Sequence, residues 1–140
     1  MIIFIGDNGT PNKVAQEYAS NKEKGSIYQG GVNVPLIVTG KNVTRTGATD
    51  SRLVNASDLF ATIVTLAGAD VSQIHDSYDF SHYFSADTAE SRTYVFAQSG
   101  KDTGGSDVTI RNERYKYLKF DNDKNVSLIY KQTVWKLQIF

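Results

Sequence analysis

A carboxylate and an amide follow a short apolar run near the start of the chain. Residues Ile2 to Ile5 are all apolar and mostly β-branched, and Asp7 and Asn8 follow them after Gly6. Such a run predicts a strand that is buried on both faces. Ligands of open α/β sheets bind at the carboxyl ends of strands. Carboxylate and amide oxygens suit Ca²⁺ or Mg²⁺, although Asp-Asn-Gly is first of all a turn signal.

A lysine opens the glycine-rich segment that follows. Lys24 precedes Gly25, and Gly30-Gly31 then leads into the apolar run from Val34. A lysine in this position can present its ammonium group to an oxyanion that a metal ion also holds. For a single lysine in the charged stretch 22–24, a solvated side chain is the simpler interpretation.

Two further elements complete the α/β part that the sequence predicts. Residues Val34 to Val38 indicate a second buried strand, in which Pro35 suits the start. The clearest helix begins near Ser57, where Ser57 or Asn55 can cap it and Asp58 suits the positive end of its dipole, and it ends at Gly68. One face of this helix is predicted to pack on the core: Leu59, Phe60, Ile63, Val64, Leu66 and Ala67.

Strand patterns dominate the second half of the chain. We predict a strand over Val95 to Gln98, a hairpin from Asp107 to Phe120 that turns at Asn112-Glu113, and strands over 126–130 and 134–140. Strands that follow strands indicate an antiparallel lobe. The predicted domains are therefore 1–85, the α/β part with the candidate site, and 86–140, an antiparallel carboxy-terminal subdomain.

Composition excludes several classes of protein. The chain has 140 residues, of which 40% are hydrophobic and 21% charged, and its 15 basic residues balance 15 acidic ones. This is the profile of a globular domain without the basic patch of a nucleic-acid-binding protein. There is no cysteine, and no apolar run approaches the roughly 20 residues of a membrane span. The absence of a signal peptide leaves the localisation undecided, because Met1 need not be the natural start.

Four ordered blocks are similar to the late active-site region of the sulfatases, which belong to the alkaline phosphatase-like superfamily. They are Ile3 to Gly9, Lys24 to Pro35, Asp58 to Thr62 followed by Leu66-Ala67-Gly68, and Ile110 to Tyr117. Several blocks in one order are more specific than a single motif. The resemblance covers roughly residues 2–120 and corresponds to the carboxy-terminal portion of the family.

The resemblance implies roles for individual residues. Asp7 and Asn8 would be ligands of the active-site Ca²⁺, with Mg²⁺ as an alternative, and Lys24 would contact the sulfate group of a sulfate ester. Tyr28, Gly30 and Gly31 would shape the loop. The implied fold is the end of a mostly parallel sheet with helices, followed by a small antiparallel sheet.

Departures from the family pattern qualify this assignment. Gln29 stands where the family usually has Glu, Asn33 where it has Arg, and Ala61 where it has Pro. Residues 121–140 diverge from the family. The family's nucleophile, a formylglycine made in a Cys/Ser-x-Pro-x-Arg motif, has no counterpart here, and no catalytic residue is assigned in this chain. His75 and His82 follow the Lys24 block and are expected to be structural.

These observations predict a sulfatase half-site that is inactive by itself and binds calcium weakly or not at all. A truncated sulfatase-like structural or interaction module, and a phosphatase or phosphonate hydrolase of the same superfamily, are the alternatives. No nucleic-acid or membrane partner is expected. Because the strand over 2–5 would leave a sheet edge exposed, we expect self-association through that edge.

Overall fold

The computed structural model describes residues 1–15, 22–70, 76–86, 90, 92–100, 105–129 and 137–140. It is a mixed α/β structure, as the sequence predicts, with these elements: β1 (Ile2–Ile5), α1 (Gln29–Val32), β2 (Leu36–Thr39), β3 (Ala48–Asp50), α2 (Asp58–Leu66), a 3₁₀ helix (Ser81–Phe84), β4 (Val95–Gly100), β5 (Ser106–Arg111), β6 (Tyr115–Lys119), β7 (Asn125–Ile129) and β8 (Leu137–Ile139).

The strands form two four-stranded sheets, in the orders β1-β2-β8-β3 and β4-β5-β6-β7. In the first sheet β8 runs parallel to β2 and antiparallel to β3. The second sheet is antiparallel throughout. Strand β8, near the carboxyl end, lies in the first sheet. The domain boundary between residues 85 and 86 stays a prediction.

Two compact units make up the chain. The first contains Met1–Phe4, Leu36–Thr93 and Lys136–Phe140, and the second contains Ile5–Pro35 and Tyr94–Trp135. The first unit therefore holds α2 and most of the first sheet. The second unit holds α1 and the antiparallel sheet, together with Asp7, Asn8 and Lys24.

Strand β1 forms where the apolar run predicts it, but the predicted burial on both faces is wrong. Ile2 is 66% exposed and Phe4 is 57% exposed, whereas Ile3 and Ile5 are half-buried. Exposed and half-buried residues alternate along β1, so one face of the strand is uncovered, and the strand also lies at the edge of its sheet.

Helix α2 follows the predicted bounds, but it is rotated relative to the predicted core-facing side. Gly68 has a φ of 75° directly after the C-cap residue Ala67, as expected of a helix end. The buried residues of the helix are Asp58, Ala61 and Thr62, while Phe60 and Ile63 are 60% and 54% exposed. Polar contacts fix this rotation, because Thr62 Oγ1 accepts a hydrogen bond from the Phe80 amide at 3.1 Å.

Asp58 also turns its side chain inward, where it makes more contacts than a simple cap. Its Oδ2 accepts a hydrogen bond from the Asn55 amide at 2.7 Å, whereas the N-cap residue Ser57 makes no side-chain cap hydrogen bond. Its Oδ1 accepts one from the Tyr78 amide at 2.9 Å. The guanidinium group of Arg92 binds both carboxylate oxygens. Asp58 is only 1% exposed, so this is a buried ion pair that the sequence pattern does not predict.

A second buried carboxylate supports the aromatic core of the first unit. Asp50 binds Arg45 and Arg52, and the Arg52 guanidinium lies 3.7 Å from the centroid of the buried Tyr83 ring. Burial alone raises the pKa of Asp50, but the hydrogen bonds from Arg52 and Arg45 outweigh it and lower this pKa to about 2. Asp50 therefore stays ionised and holds both arginines in place.

The antiparallel sheet of the second unit has the predicted hairpin. Strands β5 and β6 pair so that Arg111 lies opposite Lys116. In the turn between them, the Asn112 side chain accepts hydrogen bonds from the amides of Arg114 and Tyr115. Lys116 is 2% exposed; its burial, with the charge of Arg111, lowers its pKa to about 8. No helix in the described part of the chain has the length and apolar character of a bilayer span.

Candidate functional site

The turn after β1 carries the two candidate metal ligands. The Gly6 amide donates to the Pro35 carbonyl at 3.0 Å, which ties the end of β1 to the start of β2. Asp7 and Asn8 follow with exposed side chains. The Asn8 side-chain amide donates to Asp7 Oδ2 at 2.5 Å, so the two polar groups are in contact.

Lys24 is held against this turn through its backbone. Its amide donates to the Thr10 carbonyl at 3.0 Å, and the Thr10 amide donates to the Gly30 carbonyl at 3.2 Å. Thr10 therefore joins the Asp7-Asn8 turn to both ends of the lysine loop, which we define as residues 22–31. The Lys24 side chain is exposed, and no ion-pair partner for it is found among the described residues.

Two glycines allow the turn and the lysine loop to approach each other closely. A Cβ atom on Gly9 would lie 2.0 Å from the Gly30 carbonyl oxygen and 2.6 Å from Gly31 Cα. A Cβ atom on Gly31 would lie 2.1 Å from the Ser26 carbonyl oxygen. The Gly9 amide uses this proximity to donate to the Gly31 carbonyl at 3.2 Å. Both positions accept only glycine, because the nearest atoms that a Cβ would meet are backbone atoms and cannot rotate away.

The antiparallel sheet supports the other side of the lysine loop. Ser99 on β4 donates its hydroxyl hydrogen bond to the Gly25 carbonyl at 2.9 Å. The rings of Tyr28 and Phe120 lie with their centroids 6.0 Å apart, within the range of favourable aromatic pairs. Lys22 Nζ lies 5.2 Å from the centroid of the Tyr28 ring. The loop is therefore fixed from two directions.

Two of the three residues that depart from the family pattern, Gln29 and Asn33, lie at the two ends of α1. Gln29 begins α1, and the amide of Asn33 donates to the Gln29 carbonyl at 3.0 Å. Side chains four residues apart on a helix are neighbours, so this spacing suits the Glu–Arg pair that the family pattern implies. Asn33 Nδ2 is buried and finds no hydrogen-bond partner among the described residues.

If the turn binds a cation, Asp7 and Asn8 would supply only a part of its coordination shell. Asp7 and Asn8 offer hard oxygen atoms of the type that calcium prefers, but Ca²⁺ takes about six to eight such oxygens. Within the described residues no group of three or more His, Cys, Asp or Glu side chains could hold a metal ion. The donor set thus fits calcium in kind, and further ligands would have to come from outside these two residues.

The two histidines are expected to be structural. His82 lies in the 3₁₀ helix, where its ring packs edge-on against Tyr83 with centroids 4.7 Å apart. His75 lies outside the described residues, as do residues 16–21 of the polar segment before Lys24. Thr10 and Ser99 take part in the site, but neither stands in a pattern from which its role could have been read.

Comparison with known proteins identifies the family. The sulfatase family model matches residues 1–69, which include Asp7, Asn8, Lys24 and Asp58. Together with the relatives and solved structures below, this match supports membership of the sulfatase family. Two curated relatives, both ulvan-active sulfatases from Formosa agariphila, are 25% identical to it over 121 and 131 residues. The matches cover 85% and 90% of this chain but 18% and 24% of the relatives.

Solved sulfatase structures share the fold. A crystal structure from Bacteroides thetaiotaomicron that is assigned to the sulfatases superposes with a TM-score of 0.66 at 22% identity. A 2-O GAG sulfatase gives a TM-score of 0.66 at 21% identity. Each match covers 74% of this chain and 24% of the solved chain. The sulfatase chain described here thus corresponds to about a quarter of those proteins.

Proposed function

We propose that this chain contributes a calcium-binding and sulfate-binding half-site to the hydrolysis of sulfate esters. The observation that carries the proposal is the backbone link at Thr10, which holds the Asp7-Asn8 turn and Lys24 in one hydrogen-bonded unit. A metal ligand pair and a cation in fixed register can hold two sides of one sulfate group.

Each residue has a distinct part in this proposal. Asp7 and Asn8 would turn their oxygens toward Ca²⁺ in place of their mutual hydrogen bond. A bound Ca²⁺ would supply positive charge to the sulfate oxygens. Lys24 would bind the same group through its exposed ammonium, a compact charge that donates up to about three hydrogen bonds. Since two ligands are few for Ca²⁺, calcium binding by this chain alone is weak.

Hydrolysis also needs a nucleophile, and the sequence offers none of the family's type. The chain has no cysteine, and its prolines, Pro11 and Pro35, do not stand in a Ser-x-Pro-x-Arg motif. We therefore propose that the chain does not cleave an aryl sulfate by itself. The names of the relatives support a sulfate ester as the substrate class; at 25% identity they do not transfer a particular sugar.

A titration with sodium sulfate, followed by NMR, tests the half-site. We expect binding with a dissociation constant on the order of millimolar, strengthened by added CaCl₂. Lys24→Ala should weaken it by at least about tenfold, because a hydrogen bond to a charged group contributes about 1.5–3 kcal/mol. Asp7→Asn should remove the effect of calcium and leave the binding of sulfate alone in place.

Lys13→Ala is the matched control, since Lys13 is another exposed lysine of the same unit. If Lys24→Ala and Lys13→Ala bind sulfate equally well, the assignment of Lys24 is wrong. A preference for inorganic phosphate over sulfate that depends on Lys24 would instead favour the phosphatase or phosphonate hydrolase alternative.

Self-association through β1 is the second part of the proposal. The strand lies at a sheet edge and exposes Ile2 and Phe4, a combination that promotes pairing with another chain. Light scattering at micromolar concentration should show a dimer or larger species, and Phe4→Lys should shift it to the monomer. Val14→Lys is the control, because Val14 is 64% exposed but lies outside the strands. A monomeric unmodified chain would contradict this part.

A further inference from the structure

The lysine loop is attached to the antiparallel sheet by a side chain that no family motif includes. Ser99 lies on β4, and its hydroxyl donates to the Gly25 carbonyl at 2.9 Å. Gly25 is the residue directly after Lys24 and has a φ of +87°, a conformation that side chains other than glycine rarely adopt. The hydrogen bond therefore holds the chain at the point where it reverses beside the candidate sulfate ligand.

The backbone of Lys24 also lies in a turn, in which the Ser26 amide donates to the Glu23 carbonyl at 3.0 Å. The amide of Lys24 is held by the Thr10 carbonyl, but its side chain is exposed. A long flexible side chain delivers its ammonium group accurately only if its backbone is fixed. The Thr10 contact fixes the amide of Lys24, and the Ser99 contact fixes the next peptide carbonyl, so the two together define the direction in which the side chain leaves.

We infer that Ser99 is a positioning residue for Lys24, through which the antiparallel sheet orients the lysine toward the sulfate group. This inference rests on the proposed function, since it concerns the same anion. It adds a role for the second sheet. The sheet contributes a hydroxyl group that holds the lysine loop, and it contributes no ligand to the metal or the anion. Ser99 itself touches neither the metal nor the anion.

The test uses the complete chain and two readouts: the sulfate affinity from an NMR titration with sodium sulfate, and the hydrogen-exchange rate of the Lys24 amide. Ser99→Ala should weaken sulfate binding by about three- to tenfold, the loss expected from one hydrogen bond. The Lys24 amide should exchange faster, while the amides of the β5–β6 ladder keep their rates. Ser99→Thr retains the hydroxyl and should restore both values.

Ser106→Ala is the matched control, because Ser106 lies on the neighbouring strand β5 and pairs with Gly100. Faster exchange throughout the sheet in Ser99→Ala, or failure of Ser99→Thr to restore the affinity, would overturn the inference and leave a general loss of stability as the explanation. Unchanged sulfate affinity in Ser99→Ala, with binding still dependent on Lys24, would overturn it while the proposed function stands.

If the unmodified chain does not bind sulfate, the proposed function fails, and the exchange rates decide whether Ser99 holds the loop. Faster exchange confined to residues 24–26 in Ser99→Ala would support the positioning contact. Unchanged exchange there would overturn it.

Discussion

Replacing Asp58 with alanine is expected to destabilise the chain by about 3–5 kcal/mol, the cost of breaking a buried ion pair by removal of one partner. The carboxylate accepts hydrogen bonds from the amides of Asn55 and Tyr78 and binds the guanidinium group of Arg92. Its loss leaves the positive charge of Arg92, whose side chain is 16% exposed, without its counterion. Two amides lose their acceptors at the same time.

Urea unfolding monitored by circular dichroism measures this effect as a shift of the midpoint. Small domains are stable by about 5–15 kcal/mol, so the loss would be a large share of the total. Asp76→Asn is the control, because Asp76 is exposed and offers Arg92 its backbone carbonyl, which this substitution keeps. A loss below about 1 kcal/mol for Asp58→Ala would show that the ion pair does not hold α2 in its rotated position.

Replacing Gly9 with alanine is expected to have the second largest effect, because the added methyl group has no space. It would lie 2.0 Å from the Gly30 carbonyl oxygen and 2.7 Å from that of Gly31, and both are backbone atoms. Relief requires the lysine loop to move away from the Asp7-Asn8 turn. We expect a loss of about 1–3 kcal/mol in the free energy of unfolding, as for other overpacked sites.

The same displacement should separate the two halves of the candidate site. In Gly9→Ala the hydrogen bond from the Lys24 amide to Thr10 is expected to weaken, which hydrogen exchange at that amide detects. Gly100→Ala is the matched control, because a Cβ atom there would meet nothing within 4 Å. If the free energies of unfolding of the two variants agree within about 0.5 kcal/mol, the contact at Gly9 relaxes without cost.

The elements and the candidate residues could be predicted because both depend on short-range patterns. The apolar run before Asp7, the Gly68 signal after α2 and the Asn112-Glu113 turn each encode their own geometry within a few residues. The match to the sulfatase family model over residues 1–69 agrees with the motifs around Asp7, Lys24 and Asp58. What these residues bind stays a prediction, since neither the fold nor the family membership measures a metal or a sulfate.

The faces and the partners of these elements were decided by tertiary structure. The helical spacing of apolar residues predicts that Phe60 and Ile63 face the core. In the structure the ion pair between Asp58 and Arg92 turns the opposite side of α2 inward. Strand preference predicts β8 but not its place between β2 and β3, since hydrogen-bonding partners distant in sequence leave no local pattern.

The geometry of the candidate site divides in the same way. Sequence alone indicated which side chains could form the half-site, because the types and order of Asp7, Asn8 and Lys24 are visible in it. Only the folded chain showed that Thr10 links them and that Ser99 supports the loop. A backbone carbonyl and a serine hydroxyl are chemically ordinary, and they gain a role only when the fold places them within hydrogen-bonding distance of the lysine loop.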